Sequence, residues 1–191
     1  MSFTEPAMLP HRPRKVLIAG TSGSGKTTLA GRVGAVLGIE HIELDGLFHG
    51  PSWTPLENFE DEVRRFSSGS EWVTEWQYSA VRALLAERAD LMVWLDLPKW
   101  KVMSQLIIRT VRRRARREVL FNGNIEPPLH TILHDPGHVV RWGWRTDSHN
   151  AERMATLAVD VPALPIVVLR TRGDIENFLG ILLNMPSDRP A

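Results

Sequence analysis

Hydrophobic and polar positions follow two rhythms along this chain. Short unbroken apolar runs at 15–19 (KVLIA), 91–96 (LMVWLD) and 165–169 have the pattern of strands buried on both faces of a sheet. Residues 39–44 and 71–75 read as two further strands. Between these runs, 26–37, 79–88, 98–119 and 174–184 place apolar residues at helical spacing. Thr54-Pro55 reads as an N-cap followed by proline at the first helical position, opening a helix to about 66 that SSGS at 67–70 stops. Residues 120–140 contain NGN, PP and DPG and read as an irregular excursion, with 141–159 helical in part. Strands separated by helices predict an α/β domain with a parallel sheet. The pattern gives one domain over 15–184, with flexible tails at 1–14 and 185–191.

The chain's 191 residues suit one core. Apolar residues at 43% and charged residues at 24% exclude a disordered polymer. No apolar run reaches the length of a membrane span, since 161–169 is broken by Pro162 and Pro165, and 1–14 has no secretory apolar stretch. The absence of cysteine excludes disulfides, zinc–thiolate sites and a thiol nucleophile. These features predict a cytoplasmic protein without a membrane partner, as a monomer or homodimer.

Charge is nearly balanced overall, at +1, but six arginines crowd into RTVRRRARR at 109–117. On a helical wheel Arg109, Arg112, Arg113, Arg116 and Arg117 fall within about 140° of arc. Met103, Ile107, Ile108, Val111 and Ala115 occupy the other side, which predicts a core-facing stripe opposite an arginine face. Pairs such as Arg109/Arg113 and Arg113/Arg117 repel at i,i+4. Uncompensated guanidinium groups at that density suit a polyanion, either nucleotide phosphate or nucleic acid.

The sharpest signal is GTSGSGKT at 20–27, which satisfies G-x-x-x-x-G-K-[ST] between a strand and a helix. Glycines let successive backbone N–H groups face one anion, and the following helix adds its positive end. Gly20, Thr21, Ser22, Gly23, Ser24, Gly25, Lys26, Thr27 and Thr28 are therefore the candidate ATP loop, with Lys26 on the β/γ-phosphates and the Thr27 hydroxyl on Mg²⁺. Such a loop needs carboxylates for the metal shell and for the acceptor's proton. Glu43 and Asp45, two apart at the end of the second strand, project to one side if the backbone is extended. Glu75 and Asp96 end the third and fourth strands, where ligands of such sheets collect. Glu43, Asp45 and Glu75 are candidates for the metal and for the acceptor's proton, with Glu75 able to fill the Walker-B role. Spacing alone leaves open which acid is base and which holds metal.

GTSGSGKTTLA, HIELDGLFHGPSW, EWVTEWQYSAVR, ADLMVWLDLP and RTVRRRARREVLFNGN, in this order, resemble the adenylate-kinase-like P-loop proteins known as topology modulation proteins. The resemblance runs from about 15 to 183. It implies a three-layer P-loop NTPase fold with a five-stranded parallel sheet of order 2-3-1-4-5 and an Arg-rich LID over about 109–145. It also implies that Arg109, Arg113 and Arg117 stabilise the transferred phosphoryl group, that Asp45 is an acceptor-side acid, and that Arg170 and Arg172 lie by the adenine. Related sequences carry acid-Gly-Asn-Tyr after the third strand, whereas this chain reads Glu75-Trp76-Gln77-Tyr78, with Trp76 replacing a small residue near the expected acceptor pocket.

His130, His134 and His138 recur every four residues, but Pro127-Pro128 and Asp135-Pro136-Gly137 oppose the single helix a shared metal would need. Trp72 and Trp94 read as core. Trp53, Trp142 and Trp144 are candidates for a pocket wall or a stacked base, with packing as the alternative. The expected function is a Mg²⁺- and ATP-dependent phosphotransferase acting on a nucleotide, nucleoside or other small hydroxylated acceptor. The rival is a nucleotide-dependent nucleic-acid-binding or regulatory protein, disfavoured by the near-zero net charge and the lack of a nucleic-acid motif. An ATPase without acceptor is the third reading.

Overall fold

The computed structural model of the chain describes residues 3–124 and 150–186. Strands β1 (Lys15–Gly20), β2 (His41–Ile42), β3 (Trp72–Glu75), β4 (Leu91–Leu95) and β5 (Ile166–Leu169) form one sheet in the order β2-β3-β1-β4-β5. Every pairing is parallel. Helices α1 (Lys26–Leu37), α2 (Leu44–Phe48), α3 (Phe59–Ser67), α4 (Ser79–Arg88), α5 (Lys99–Ala115), α6 (Asn150–Asp160) and α7 (Arg172–Asn184) flank it. The pattern's five parallel strands are present, in the order that the resemblance implied.

Strand alternation divides the interior into two cores. Val16 and Ile18 of β1 point into one, with Val93, Val167, Leu29 of α1 and Phe178 of α7. Leu17 and Ala19 point into the other, with Trp72, Met92, Trp94, Phe59 of α3, Leu85 of α4 and Met154 of α6. Trp72 and Trp94 are core residues, as their apolar surroundings predicted.

Four local expectations are corrected. The strand expected over 39–44 shrinks to His41–Ile42, because buried Leu44 turns into the second core and opens α2. The helix expected from Thr54-Pro55 begins only at Phe59. Pro55 instead bridges His49, and Gly50 N–H donates to the Thr54 carbonyl at 2.7 Å while Leu56 N–H donates to Phe48, so a small antiparallel turn occupies 48–56. Helix α5 stops at Ala115 rather than 119, ended by Arg117 in the left-handed region at φ 47°. Its inward face is also not the predicted one. Val102, Met103, Leu106 and Thr110 are buried, whereas Ile107, Ile108 and Val111 are exposed. The wheel separated apolar from charged residues, but it could not know that Arg109 and Arg113 share the inward side with Val102 and Leu106, within about 60° of arc.

Several N-terminal residues are hydrogen-bonded to the body of the fold. Thr4 N–H donates to the Ile166 carbonyl at 2.9 Å. The Arg12 guanidinium donates to the carbonyls of Val36, Leu182 and Met185 at 2.9, 3.0 and 2.8 Å, closing the C-terminal ends of α1 and α7 together. Asp90 accepts from the N–H groups of Arg14 and Lys15. Of the LID expected over about 109–145, residues 125–145, with His130, His134, His138, Trp142 and Trp144, lie outside the described residues. Among the described residues no helix is long and apolar enough to cross a membrane.

Candidate functional site

The glycine-rich loop joins β1 to α1 at the carboxyl edge of the sheet, beside the strand where the order reverses. Gly25 caps α1 in the left-handed region (φ 95°), and Gly23 lies there too (φ 88°). A Cβ on Gly23 would come within 2.7 Å of the Leu106 Cβ and 3.0 Å of the Val102 carbonyl oxygen, so the loop sits directly on α5. The loop closes on itself through Ser24 N–H donating to the Thr21 carbonyl at 3.0 Å. Lys26 Nζ donates to that same carbonyl at 3.2 Å. Asn150 of α6 fastens the other side, donating to Thr21 Oγ1 at 2.8 Å. Ser24 is buried with its Oγ unpartnered among the described residues. Ser22 is half-buried, and Thr27 and Thr28 are exposed on the first turn of α1.

Three expected acids converge on this loop. Glu75, 1% exposed, ends β3 and holds His41 Nε2 at 3.2 Å. Its other oxygen accepts the Leu44 N–H at 3.4 Å, satisfying an orphan donor at the start of α2. The Thr27 hydroxyl is near enough to favour the charged form of Glu75. Burial pushes the Glu75 carboxyl up, but the hydrogen bond and charge of His41, with the Thr27 hydroxyl, bring it net below its ordinary value. Glu43 and Asp45 are not on an extended strand. Glu43 is the N-cap of α2 and Asp45 sits in its first turn, so the helix rather than the pleat brings them to Glu75. Burial raises the Glu43 carboxyl, reinforced by Glu75 and Asp45 and opposed by His41 and Arg113. Burial lowers the Lys26 ammonium and Arg109 adds to that, while Asp45 and Glu75 oppose it.

Lys26, Thr27, Glu43, Asp45, Glu75, Arg109 and Arg113 thus form one electrostatic cluster. Arg113 is half-buried and also approaches Glu118 at 3.6 Å. The structure does not bring every expected residue there. Arg117 lies beyond the end of α5, exposed. Arg170 follows β5, exposed, and pairs with half-buried Asp96 at 3.0 Å, and Arg172 opens α7 on the surface.

Asp45 carries partners that sequence reasoning missed. Its Oδ1 accepts from Gln77 Nε2 at 2.8 Å and from the Tyr78 hydroxyl at 2.6 Å. The Tyr78 oxygen lies 3.2 Å from His49 Nε2. Burial, then the charge and hydrogen bond of Asp45, push the Tyr78 phenol well above its ordinary range. Tyr78 stacks on Phe48 at 4.2 Å, and His49 meets the Trp53 ring edge-on at 5.1 Å. The NGN segment after α5 pins this wall. Asn122 donates to the Gly46 and His49 carbonyls, buried Asn124 donates to Gly50, and Trp53 N–H donates to Asn124 Oδ1. Ser52, Trp53, Tyr78 and Asn122 all hold left-handed φ between 52° and 60°, the kind of strain that gathers at preorganised sites. Trp76 turns away, packed in the second core with its indole N–H donated to the Arg82 carbonyl. The signal for Gln77 and Tyr78 was their position directly after a strand-end acid. Nothing in local pattern pointed to His41 or His49.

The donor set is a hydroxyl and carboxylates, the hard oxygen ligands that Mg²⁺ takes. Among the described residues no three acids or histidines form a ready metal cage.

No family model matches the chain, and no curated protein does. Among solved structures, a gluconokinase from Sinorhizobium meliloti 1021 is similar with TM-score 0.52 and 18% identity, over 90% of this chain and 93% of that one. A shikimate kinase from Bacteroides thetaiotaomicron gives 0.48 and 15%, over 89% and 96%. A sugar kinase from a Janibacter species gives 0.44 and 22%, over 92% and 94%. At these identities the likeness is one of fold. The chain shares the five-stranded parallel P-loop kinase-like fold of the gluconokinase; the narrower resemblance to topology modulation proteins is not confirmed by these comparisons.

Proposed function

We propose that the chain is an ATP-dependent phosphotransferase that uses Mg²⁺ and acts on a small acceptor: a nucleotide, nucleoside or other hydroxylated compound. The observation that supports this best is the convergence of Lys26 and Thr27 on Glu75, Asp45 and Arg109 at the carboxyl edge of the sheet. A lone glycine loop binds anions. A loop with acids on one side and arginines on the other can also direct a phosphoryl group.

In this reading residues 20–28 wrap the triphosphate with backbone N–H groups and Lys26 neutralises its terminal phosphates. Thr27, with Glu75 and Glu43 behind it, would hold Mg²⁺, which offsets charge on the phosphoryl oxygens when bound. Arg109 and Arg113 face the same point from α5, with Arg117 at that helix's end. Arg170 and Arg172 would contact the adenine. Asp45 orients the acceptor and takes its proton.

The test is ADP release from MgATP, with and without nucleoside monophosphates, nucleosides and small metabolites, with Lys26→Ala as control. Acceptor-stimulated turnover that the control abolishes supports a kinase. Slow acceptor-independent turnover, or none, contradicts it and favours a nucleotide-gated binding protein.

A further inference from the structure

The acceptor side of the cluster has a chemistry of its own. Between Glu40 and Val63 the sequence carries Glu43, Asp45, Glu57, Glu60, Asp61 and Glu62 but no lysine or arginine; Glu60 and Glu62 pair with Arg64 and Arg65 of α3, so the acids counted toward the site are Glu43 and Asp45. The next stretch on this side, 72–81, has Glu75 and again no cation. Arg82 follows, but its guanidinium lies 5.6 Å from the Trp76 ring centre, on the second-core side. Among the described residues the cations of the site come from elsewhere: Lys26 from the loop, Arg109 and Arg113 from α5. The wall is therefore acidic and aromatic, built from Asp45, Phe48, His49, Trp53 and Tyr78.

Asp45 is presented in a particular way. Gln77 and Tyr78 both donate to Oδ1, and Oδ2 has no partner among the described residues. Two short hydrogen bonds on one oxygen fix the carboxylate plane and leave the other oxygen for a donor. The phenol has a single proton, committed to Asp45, so the Tyr78 oxygen accepts from His49 Nε2. A chain His49–Tyr78–Asp45 results, held by the strained backbone at Tyr78 (φ 59°).

A free carboxylate oxygen accepts a hydroxyl and repels a phosphate dianion, and apolar rings beside it favour an uncharged body. We infer, building on the phosphotransferase reading above, that the acceptor is an uncharged hydroxyl compound, a neutral sugar or a nucleoside, whose hydroxyl donates to Asp45 Oδ2, with Tyr78 as positioning residue of that carboxylate. The acceptor oxygen attacks the γ-phosphorus of ATP and forms a new P–O bond. The bond from that phosphorus to the β,γ-bridging oxygen breaks, ADP leaves with the electron pair, and the hydroxyl proton passes to Asp45 and on to water. The product is a phosphomonoester, not a phosphoanhydride.

Matched pairs that differ by one phosphate test this: thymidine and thymidine monophosphate, glucose and glucose 6-phosphate, glycerol and glycerol 3-phosphate. Binding is read as the rise in melting temperature with a non-hydrolysable ATP analogue present, and the product with MgATP by phosphorus NMR. The inference expects the neutral member to bind better by about tenfold or more in at least one pair, and Asp45→Asn to narrow that preference. It expects a phosphomonoester resonance, and for Tyr78→Phe a loss of about tenfold or more in kcat with KM little changed. Preference for the phosphorylated members, or formation of a nucleoside diphosphate, overturns this acceptor class and leaves the phosphotransferase reading standing. So does binding of MgATP with no response to any neutral member. Equal losses for Tyr78→Phe in kcat and in melting temperature assign Tyr78 to packing and overturn its positioning role. Failure of wild type to bind MgATP overturns the phosphotransferase reading itself.

Discussion

The Tyr78 hydroxyl donates to Asp45 Oδ1 at 2.6 Å, and this single bond ties the segment after β3 to the first turn of α2. It joins two acid-bearing segments, and it can be watched directly, because Tyr78 is the only tyrosine in the chain.

Ultraviolet titration of the native protein should show no tyrosinate absorbance as pH rises through 10.0, where the free phenol ionises. Asp45→Ala should bring that absorbance to lower pH, since it removes both the charge and the hydrogen bond that oppose ionisation. The linkage runs one way. Below pH 10.0 folded and unfolded chains both keep the proton; above it the unfolded chain loses it first, so stability falls with rising pH. A tyrosinate signal at pH 10 in the folded wild type contradicts this.

Gly23 and Gly25 both have positive φ, but they differ in space. A Cβ at Gly23 meets Leu106 and Val102 of α5, whereas one at Gly25 meets nothing within 4 Å. Gly25→Ala should cost only the left-handed penalty of about 1–2 kcal/mol. Gly23→Ala should cost that plus an overpacking cost of about 1–3 kcal/mol, read by urea denaturation. Equal losses would mean that the loop does not rest on α5.

Arg12 ends α1 and α7 with three hydrogen bonds to carbonyls. Arg12→Ala leaves those groups without their charged donor and should cost about 1.5–3 kcal/mol. Arg12→Lys should recover only part, because an ammonium lacks the planar fork that reaches three carbonyls. A loss below about 0.5 kcal/mol for Arg12→Ala, within the range of ordinary surface changes, would refute the staple.

The sheet and the loop were legible because each rests on a local rule. Unbroken apolar runs such as VLIA can be satisfied only between two layers, and GTSGSGKT states its turn through its glycines. What failed was set by partners distant in sequence. Leu44 leaves the strand because the second core takes it and Glu75 accepts its N–H. Ile107, Ile108 and Val111 face out although the wheel made them core, because Arg109 and Arg113 turn toward the acids. Pro55 reads as a helix start until His49 pairs with it. For the site, acid positions were visible as strand ends, but the side chains that aim them, His41 for Glu75 and Tyr78 for Asp45, lie over thirty residues away in the chain. Arg170 and Arg172 were implied by resemblance alone, to lie by the adenine; Arg170 pairs with Asp96.

The account stands or falls on whether the loop binds nucleotide through Lys26. Calorimetric titration of the wild-type protein with ATP, with and without Mg²⁺, and of Lys26→Ala alongside, measures this directly. The account predicts one ATP per chain, bound more tightly with Mg²⁺, and a loss of about tenfold or more in Lys26→Ala, in line with removing a charge-assisted contact to phosphate. No heat of binding in the folded wild type, or equal affinity in the two proteins, would contradict it.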